Sequence, residues 1–260
     1  MAKRTPIHRK TLDKWLTKAS LQLQREDYGR VIITCQRVLR SVADNDPRRA
    51  EALGYMGTAH AMRNENKQAF DAFSQALALE PNEFDLWYNR GLASLFTSRI
   101  GQAFKDFSKA ATLCTDVSYK QRILERIEFT EHAAREECAL RGPGFTLDQL
   151  IEQEESGQRG VTLMEQEAWS DAEKRFREVI AMGDVLPQPW GNLGICLLMQ
   201  QRYDEAEEAL KRALEIDAHY ELAQANLAML ERARSGGIAP RVVTSDPFAN
   251  AKRSIDFFSE

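Results

Sequence analysis

The sequence has few residues that break helices, no pattern of paired cysteines and no long apolar run. Eight prolines in 260 residues leave most of the chain free to be helical. The four cysteines, Cys35, Cys114, Cys138 and Cys196, show neither CxxC spacing nor an extracellular framework, and each sits in or beside an apolar helical stretch. They read as buried free thiols in a reducing cytoplasm, not as a disulfide scaffold or a zinc site. No apolar run approaches bilayer length, which argues against membrane insertion. The start, MAKRTPIHRKTLDKW, is basic without an apolar core behind it, so it does not read as a signal peptide. An excess of basic charge is missing too. A net charge of −4 argues against nucleic acid as the main partner, because phosphate recognition wants a basic face.

Catalytic signatures are equally sparse. His8, His60, His132 and His219 are scattered, with no HExxH, no GxSxG, no glycine-rich phosphate loop and no GxGxxG. His60 falls where a large residue between helices is wanted, so a packed imidazole is expected there. His132 and Glu136, four apart, read as an exposed helical pair. Glu152, Glu154 and Glu155 read as a solvated face, and Gly142-Pro143-Gly144 as a helix stop. No catalytic residue, cofactor or metal ligand set is expected, and the chain is read as non-enzymatic.

What the sequence does contain is periodicity. From Pro187 to Tyr220 it runs PQPWGNLGICLLMQQRYDEAEEALKRALEIDAHY, two amphipathic helical segments joined by Gln200-Gln201-Arg202. Trp190, Leu193, Gly194 and Leu197 mark the first segment; Ala206, Leu210 and Ala213 mark the inner face of the second. Elsewhere Leu53 and Trp87, Gly57 and Gly91, Ala69 and Ala103, and Phe73 and Phe107 all stand 34 residues apart. Trp169 and Tyr203, Ala172 and Ala206, and Phe176 and Leu210 repeat the same interval. Small residues let neighbouring helices approach, and the aromatic residues fill the spaces left between them.

This spacing resembles the tetratricopeptide repeat, W-x2-L-G-x2-Y followed by A-x3-F, with its period of 34 residues. The resemblance implies an all-α fold, a right-handed superhelical solenoid of antiparallel helix pairs. On it the chain divides into a basic arm (1–11), three repeats (12–49, 50–83 and 84–117), a degenerate repeat (118–152), two further repeats (153–186 and 187–220), a capping helix (221–234) and an irregular tail (235–260). The second helix of the first repeat is expected to run to about Ala43, before Asp46-Pro47 stops it. Within the degenerate repeat, one long helix from Ser118 to Leu140 should end at Arg141-Gly142-Pro143-Gly144, with helix resuming near Thr146 or Leu147. A break between two lobes, 1–140 and 145–234, is the rival reading of that region.

The resemblance also implies a working face. In the family the first helix of each repeat lines a groove that holds an extended peptide or a helix. Carried onto this sequence, the groove candidates are Tyr55, Thr58 and Met62, then Tyr88, Asn89 and Phe96, and in the C-terminal half Gln158, Met164, Asn192, Ile195, Met199 and Asn226. Asn89, Asn192 and Asn226 occupy equivalent places, where some family members hold the partner's main chain with an amide that both donates and accepts. The family's carboxylate clamp is not recognisable, since Gly54, Thr58, Gly157 and Val161 stand at its places. Asp13, Glu51, Asp85 and Glu154 recur at one place of successive first helices, either offsetting the helix dipole or forming an acidic rim that suits basic peptides. Gly54, Gly157 and Gly191 recur at another and suggest pockets for a partner's side chains. The expected function is a cytoplasmic protein-binding scaffold whose partner is a protein or peptide. The alternatives are a homo-oligomer assembled through Phe248, Ile255, Phe257 and Phe258 of the tail, or an accessory subunit of an enzyme.

Overall fold

The computed structural model describes residues 9–234; the first eight residues of the basic arm and the tail 235–260 lie outside the described residues. Among the described residues there are twelve helices and no strand. Two compact units divide between Glu131 and His132.

Unit 1 holds α1 (Arg9–Gln24), α2 (Tyr28–Leu39), α3 (Arg48–Met62), α4 (Asn66–Leu79), α5 (Phe84–Phe96), α6 (Ile100–Leu113) and the first part of α7 (Val117–Leu140). Consecutive helices from α1 to α6 pack on one another, and first helices also meet first helices, α1 with α3 and α3 with α5. Unit 2 holds the rest of α7, then α8 (Leu147–Glu165), α9 (Trp169–Met182), α10 (Pro187–Met199), α11 (Tyr203–Ile216) and α12 (Glu221–Arg234). There the chain repeats the scheme: α8 to α12 pack consecutively, with α10 also against α8 and α12.

One contact recurs in four of the five pairs. A Cβ added at Gly57 would lie 2.7 Å from Phe73, at Gly91 2.7 Å from Phe107, at Gly160 2.8 Å from Phe176 and at Gly194 2.6 Å from Leu210. The four partners are fully or almost fully buried. Each glycine therefore admits a large side chain from the second helix, sixteen residues along, against its own backbone. Phe73, Phe107, Phe176 and Leu210 are among the largest fully buried side chains of the protein.

A second device repeats in the main chain. The turn between the two helices of a pair carries one non-glycine residue at positive φ: Glu26 (59°), Asn64 (59°), Ser98 (55°), Glu167 (58°) and Gln201 (60°). In each turn that residue's N–H bonds three residues back, and the next N–H bonds five back. At Gln201 and Arg202 the acceptors are the Leu198 and Leu197 carbonyls, both at 3.0 Å. Paired bonds of this kind satisfy the last carbonyls of the first helix and reverse the chain.

Three expectations need correction. Helix α2 ends at Leu39, not near Ala43. The chain leaves the helix through a Ser41 N–H bond back to Val38 (2.8 Å), and Asp46 then accepts from the Arg48 N–H (3.0 Å) to open α3. The dipole explanation of the recurring acids holds for Glu51 and Asp85 only. Helix α1 starts at Arg9 and α8 at Leu147, so Asp13 and Glu154 stand beyond the first turn. Asp148 takes that place in α8, behind a capping box of Thr146 and Gln149. Finally, no pocket opens at Gly191: a Cβ there would lie 2.7 Å from the Tyr220 ring, so the chain's own tyrosine fills the space.

Candidate functional site

In unit 1 the first helices α3 and α5 border an open pocket of about 480 Å³. Gly54, Tyr55 and Thr58 enter from α3, Asp85 and Asn89 from α5, and Phe73 from α4. Thr58 is spent locally, donating its hydroxyl to the Gly54 carbonyl at 3.0 Å. Burial pushes the Tyr55 phenol up, as its ring packs against the core shared by α1, α2 and α3. Four carboxylates, Glu51, Glu80, Glu83 and Asp85, stand around the pocket, and among the described residues no basic side chain lines it. Desolvation by the surrounding protein pushes the Asp85 carboxyl up. Of these acids, Glu80 and Glu83 were not anticipated. They lie in the link between α4 and α5, outside the helix positions that the period marks.

The other unit 1 candidates stand elsewhere. Tyr88 turns into an aromatic cluster, 5.5 Å from Phe107 and 5.4 Å from Tyr119, with Phe84 a further 5.3 Å from Tyr119. Phe96 and Met62 are exposed. Helix α5 is held in place from behind. Arg90 donates from Nε and Nη2 to both Asp106 oxygens (2.8 and 2.6 Å) and lies over Trp87 and Phe70. Asp106 is fully buried; burial raises its carboxyl, and the Arg90 and Gln102 bonds oppose that.

Unit 2 presents the same places differently. Gln158, Met164, Asn192, Ile195 and Asn226 are all buried, and only Met199 is half-buried. Asn192 is 0% exposed, and neither amide atom has a hydrogen-bond partner among the described residues. Asn226, 4% exposed, lacks one for its Nδ2. Leaving a buried amide unbonded costs about 1–3 kcal/mol. No sequence signal foretold this burial, because the period gives Asn89 and Asn192 the same place.

The histidines and cysteines have ordinary surroundings. His60 Nδ1 lies 2.6 Å from Glu65 in the turn before α4, and His132 pairs with Glu136 at 3.4 Å on an exposed face. Among the described residues no three metal-binding side chains cluster, and no helix is long and apolar enough to cross a membrane. Cys35, Cys114 and Cys196 are buried and unpaired, and Cys138 is half-buried. Burial pushes the thiols of Cys35 and Cys196 up to about 12.

Helix pairs built on one repeated contact and one repeated turn define a helical-repeat protein, a class whose fold serves as a scaffold for protein interaction. Residues 187–220 match the family model described as Tetratricopeptide repeat. That unit is α10 with α11, one of the five helix pairs among the described residues. Among curated proteins nothing matches. Among solved structures it is similar to the TPR2AB domain of yeast Sti1 in its pHSP90 complex, at 16% identity over 87% of this chain and 85% of that one, with a TM-score of 0.40. It is also similar to YrrB, described as a TPR protein with an unusual peptide-binding site, at 16% identity over 82% and 90% of the two chains and a TM-score of 0.35. A tetratricopeptide repeat protein from Parabacteroides merdae is similar at 14% identity over 87% and 86%, with a TM-score of 0.41.

Proposed function

We propose that this chain is a non-catalytic adaptor that holds a basic, extended segment of a protein partner in the unit 1 pocket. The observation that carries the reading is the lining of that pocket: four carboxylates, with no basic side chain lining it among the described residues, around Tyr55 and Asn89. A lysine or arginine entering there meets negative potential from several sides, and its charge favours the ionised form of Asp85. The Asn89 amide, half-buried at the same pocket, suits a peptide group, since it donates and accepts at once. Thr58 contributes shape more than bonding, because its hydroxyl is already engaged. The three buried thiols suit a reducing compartment such as the cytoplasm.

Fluorescence-labelled peptides of matched length, one Lys/Arg-rich, one neutral and one acidic, test this. The basic peptide is expected to bind most tightly, and its affinity to fall with added salt. Asp85→Asn should weaken it and flatten the salt dependence, and Asn89→Ala should weaken all extended peptides alike. Equal binding of the acidic peptide, or no response to either substitution, refutes the reading.

A further inference from the structure

Each unit has a place between two second helices, and the two units fill it differently. In unit 1 the occupant is Arg90, one residue before Gly91. Its guanidinium lies 4.8 Å from the centre of the Trp87 ring, donates to Asp106 on α6 and reaches Ser74 on α4 at 3.4 Å. In unit 2 the same count from Gly194 puts Trp190 where Trp87 stands, Leu193 where Arg90 stands and Ala209 where Asp106 stands. The indole is held in the same way in both. Trp87 Nε1 donates to the Pro81 carbonyl at 2.8 Å and Trp190 Nε1 to the Asp184 carboxylate, each six residues back. The arginine and its carboxylate are replaced, and the space they take in unit 1 is in unit 2 a pocket of about 530 Å³ bordered by α9, α10 and α11.

Trp190, Leu193, Leu197 and Ala209 give this pocket an apolar wall. Three cations also line it, and each already has a carboxylate: Arg177 has Glu173, Lys211 has Glu207, and Arg212 has Asp184 and Glu215. Of the lining acids, Glu205 is held by Arg202 and Glu215 by Arg212. Glu208 is exposed and has no hydrogen-bond or ion-pair partner among the described residues. The half-buried Trp190 ring likewise has no cation over it among the described residues. One carboxylate and one indole face are therefore left to a ligand. We propose that this pocket takes an arginine side chain of a protein partner, which lies over Trp190 as Arg90 lies over Trp87 and pairs with Glu208. A guanidinium suits both groups at once, because it is planar, stacks on an aromatic face and presents a fork of donors to a carboxylate. Its methylene stem suits the wall of Leu197 and Ala209. A lysine ammonium is compact and strongly hydrated and lacks the fork, and an apolar side chain leaves Glu208 uncompensated. The site shares no residue with the unit 1 pocket and does not rest on the reading of that pocket.

The test follows the indole N–H signals of the four tryptophans in the full chain by nuclear magnetic resonance, with Trp190→Phe to assign the signal that matters. The probe is a blocked heptapeptide with one central arginine among alanines, and its lysine and citrulline counterparts are the comparisons. The arginine peptide is expected to shift the Trp190 signal saturably. It should bind about five-fold or more tighter than the citrulline peptide, which keeps the shape and lacks the charge. Glu208→Gln should weaken the arginine peptide about three-fold or more and leave the citrulline peptide as it was. Leu193→Arg gives unit 2 the residue that fills this place in unit 1. It should abolish the response while the Trp15 and Trp87 signals keep their positions. If that variant does not fold, Glu208→Gln decides, because its side chain is on the surface. The inference is overturned if the Trp190 signal does not move, if lysine or citrulline binds as well as arginine, or if Glu208→Gln changes nothing. Tighter binding of free arginine than of the peptide overturns it in favour of a small molecule. A concentration-dependent dimer that the arginine peptide dissociates overturns it in favour of a second copy.

Discussion

Replacing Arg90 with methionine leaves the Asp106 carboxylate buried without its cation. Asp106 is 0% exposed and takes two bonds from Arg90, at 2.8 and 2.6 Å, and a third from Gln102 at 2.7 Å. Removing one partner of such a pair costs about 3–5 kcal/mol. The carboxyl has one escape, which is to take up a proton. From an ordinary value of 3.8, neutralising it at pH 7 costs about 4 kcal/mol, and at pH 5 about 1.5, at roughly 1.4 kcal/mol per pH unit. The sign follows from the raised value in the fold. A group of this kind is least costly below its unfolded pKa, and stability is lost as pH rises through the folded one. Arg90 offsets that loss in the wild type, and in Arg90→Met the offset is gone. Urea unfolding followed by circular dichroism at pH 7 and pH 5 should therefore show a deficit of about 3–4 kcal/mol that shrinks to about 1.5 at the lower pH. The double variant Arg90→Met/Asp106→Leu should return to within about 1 kcal/mol of wild type, because an apolar pair of similar volume needs no compensation. A deficit below about 1 kcal/mol at pH 7, or one equal at both pH values, refutes the reasoning.

Two further predictions concern the repeat devices. Gly91→Ala should destabilise by about 1–2 kcal/mol although alanine is the better helix former, because its Cβ would lie 2.7 Å from the fully buried Phe107 ring. Gly54→Ala, whose Cβ would meet only the end of Leu86 at 3.4 Å, should stabilise by up to about 1 kcal/mol, and thermal melts of the two variants side by side decide it. Gln201→Gly should be neutral or stabilising by up to about 1 kcal/mol, since Gln201 sits at φ 60°, and Gln201→Val should cost more than 1 kcal/mol. Equal melting temperatures for those two would mean that the turn is not under backbone strain.

The pairing of helices was readable because it rests on side-chain volume. Gly57 with Phe73, and Gly91 with Phe107, have no other arrangement that buries the ring without a void, and their spacing shows in the letters. The turns were not readable. Glu26, Ser98, Glu167 and Gln201 are not residues that favour positive φ, and what holds them there is a pair of main-chain bonds to carbonyls that belong to every residue alike. One helix end escaped for a similar reason: α2 stops at Leu39 through local main-chain bonds that no spacing marks, whereas α8 begins behind Thr146 where the Gly-Pro-Gly stop had placed it. At the site, the period put Tyr55, Asn89, Asn192 and Asn226 on one face of their helices, but burial depends on what lies across that face. Tyr88 is drawn aside by Tyr119, which lies on α7 outside the period, and Gly191 is filled by Tyr220 from the link between α11 and α12.

Because the joints are written in the main chain, they tolerate nearly any spelling. A unit can lose its tryptophan, as α8 has with Ser156 where α10 has Trp190, and still turn back on itself through Glu167 as the better-spelled unit does through Gln201. The turn of a unit thus asks little of its side chains, and the pairing rests on a few of them: the small residue and the bulky one that meet inside it, and in one unit the Arg90–Asp106 pair. The surface letters of the first helices are free to diverge between otherwise interchangeable modules, and the same asparagine can stand half-buried at Asn89 in one and fully buried at Asn192 in another.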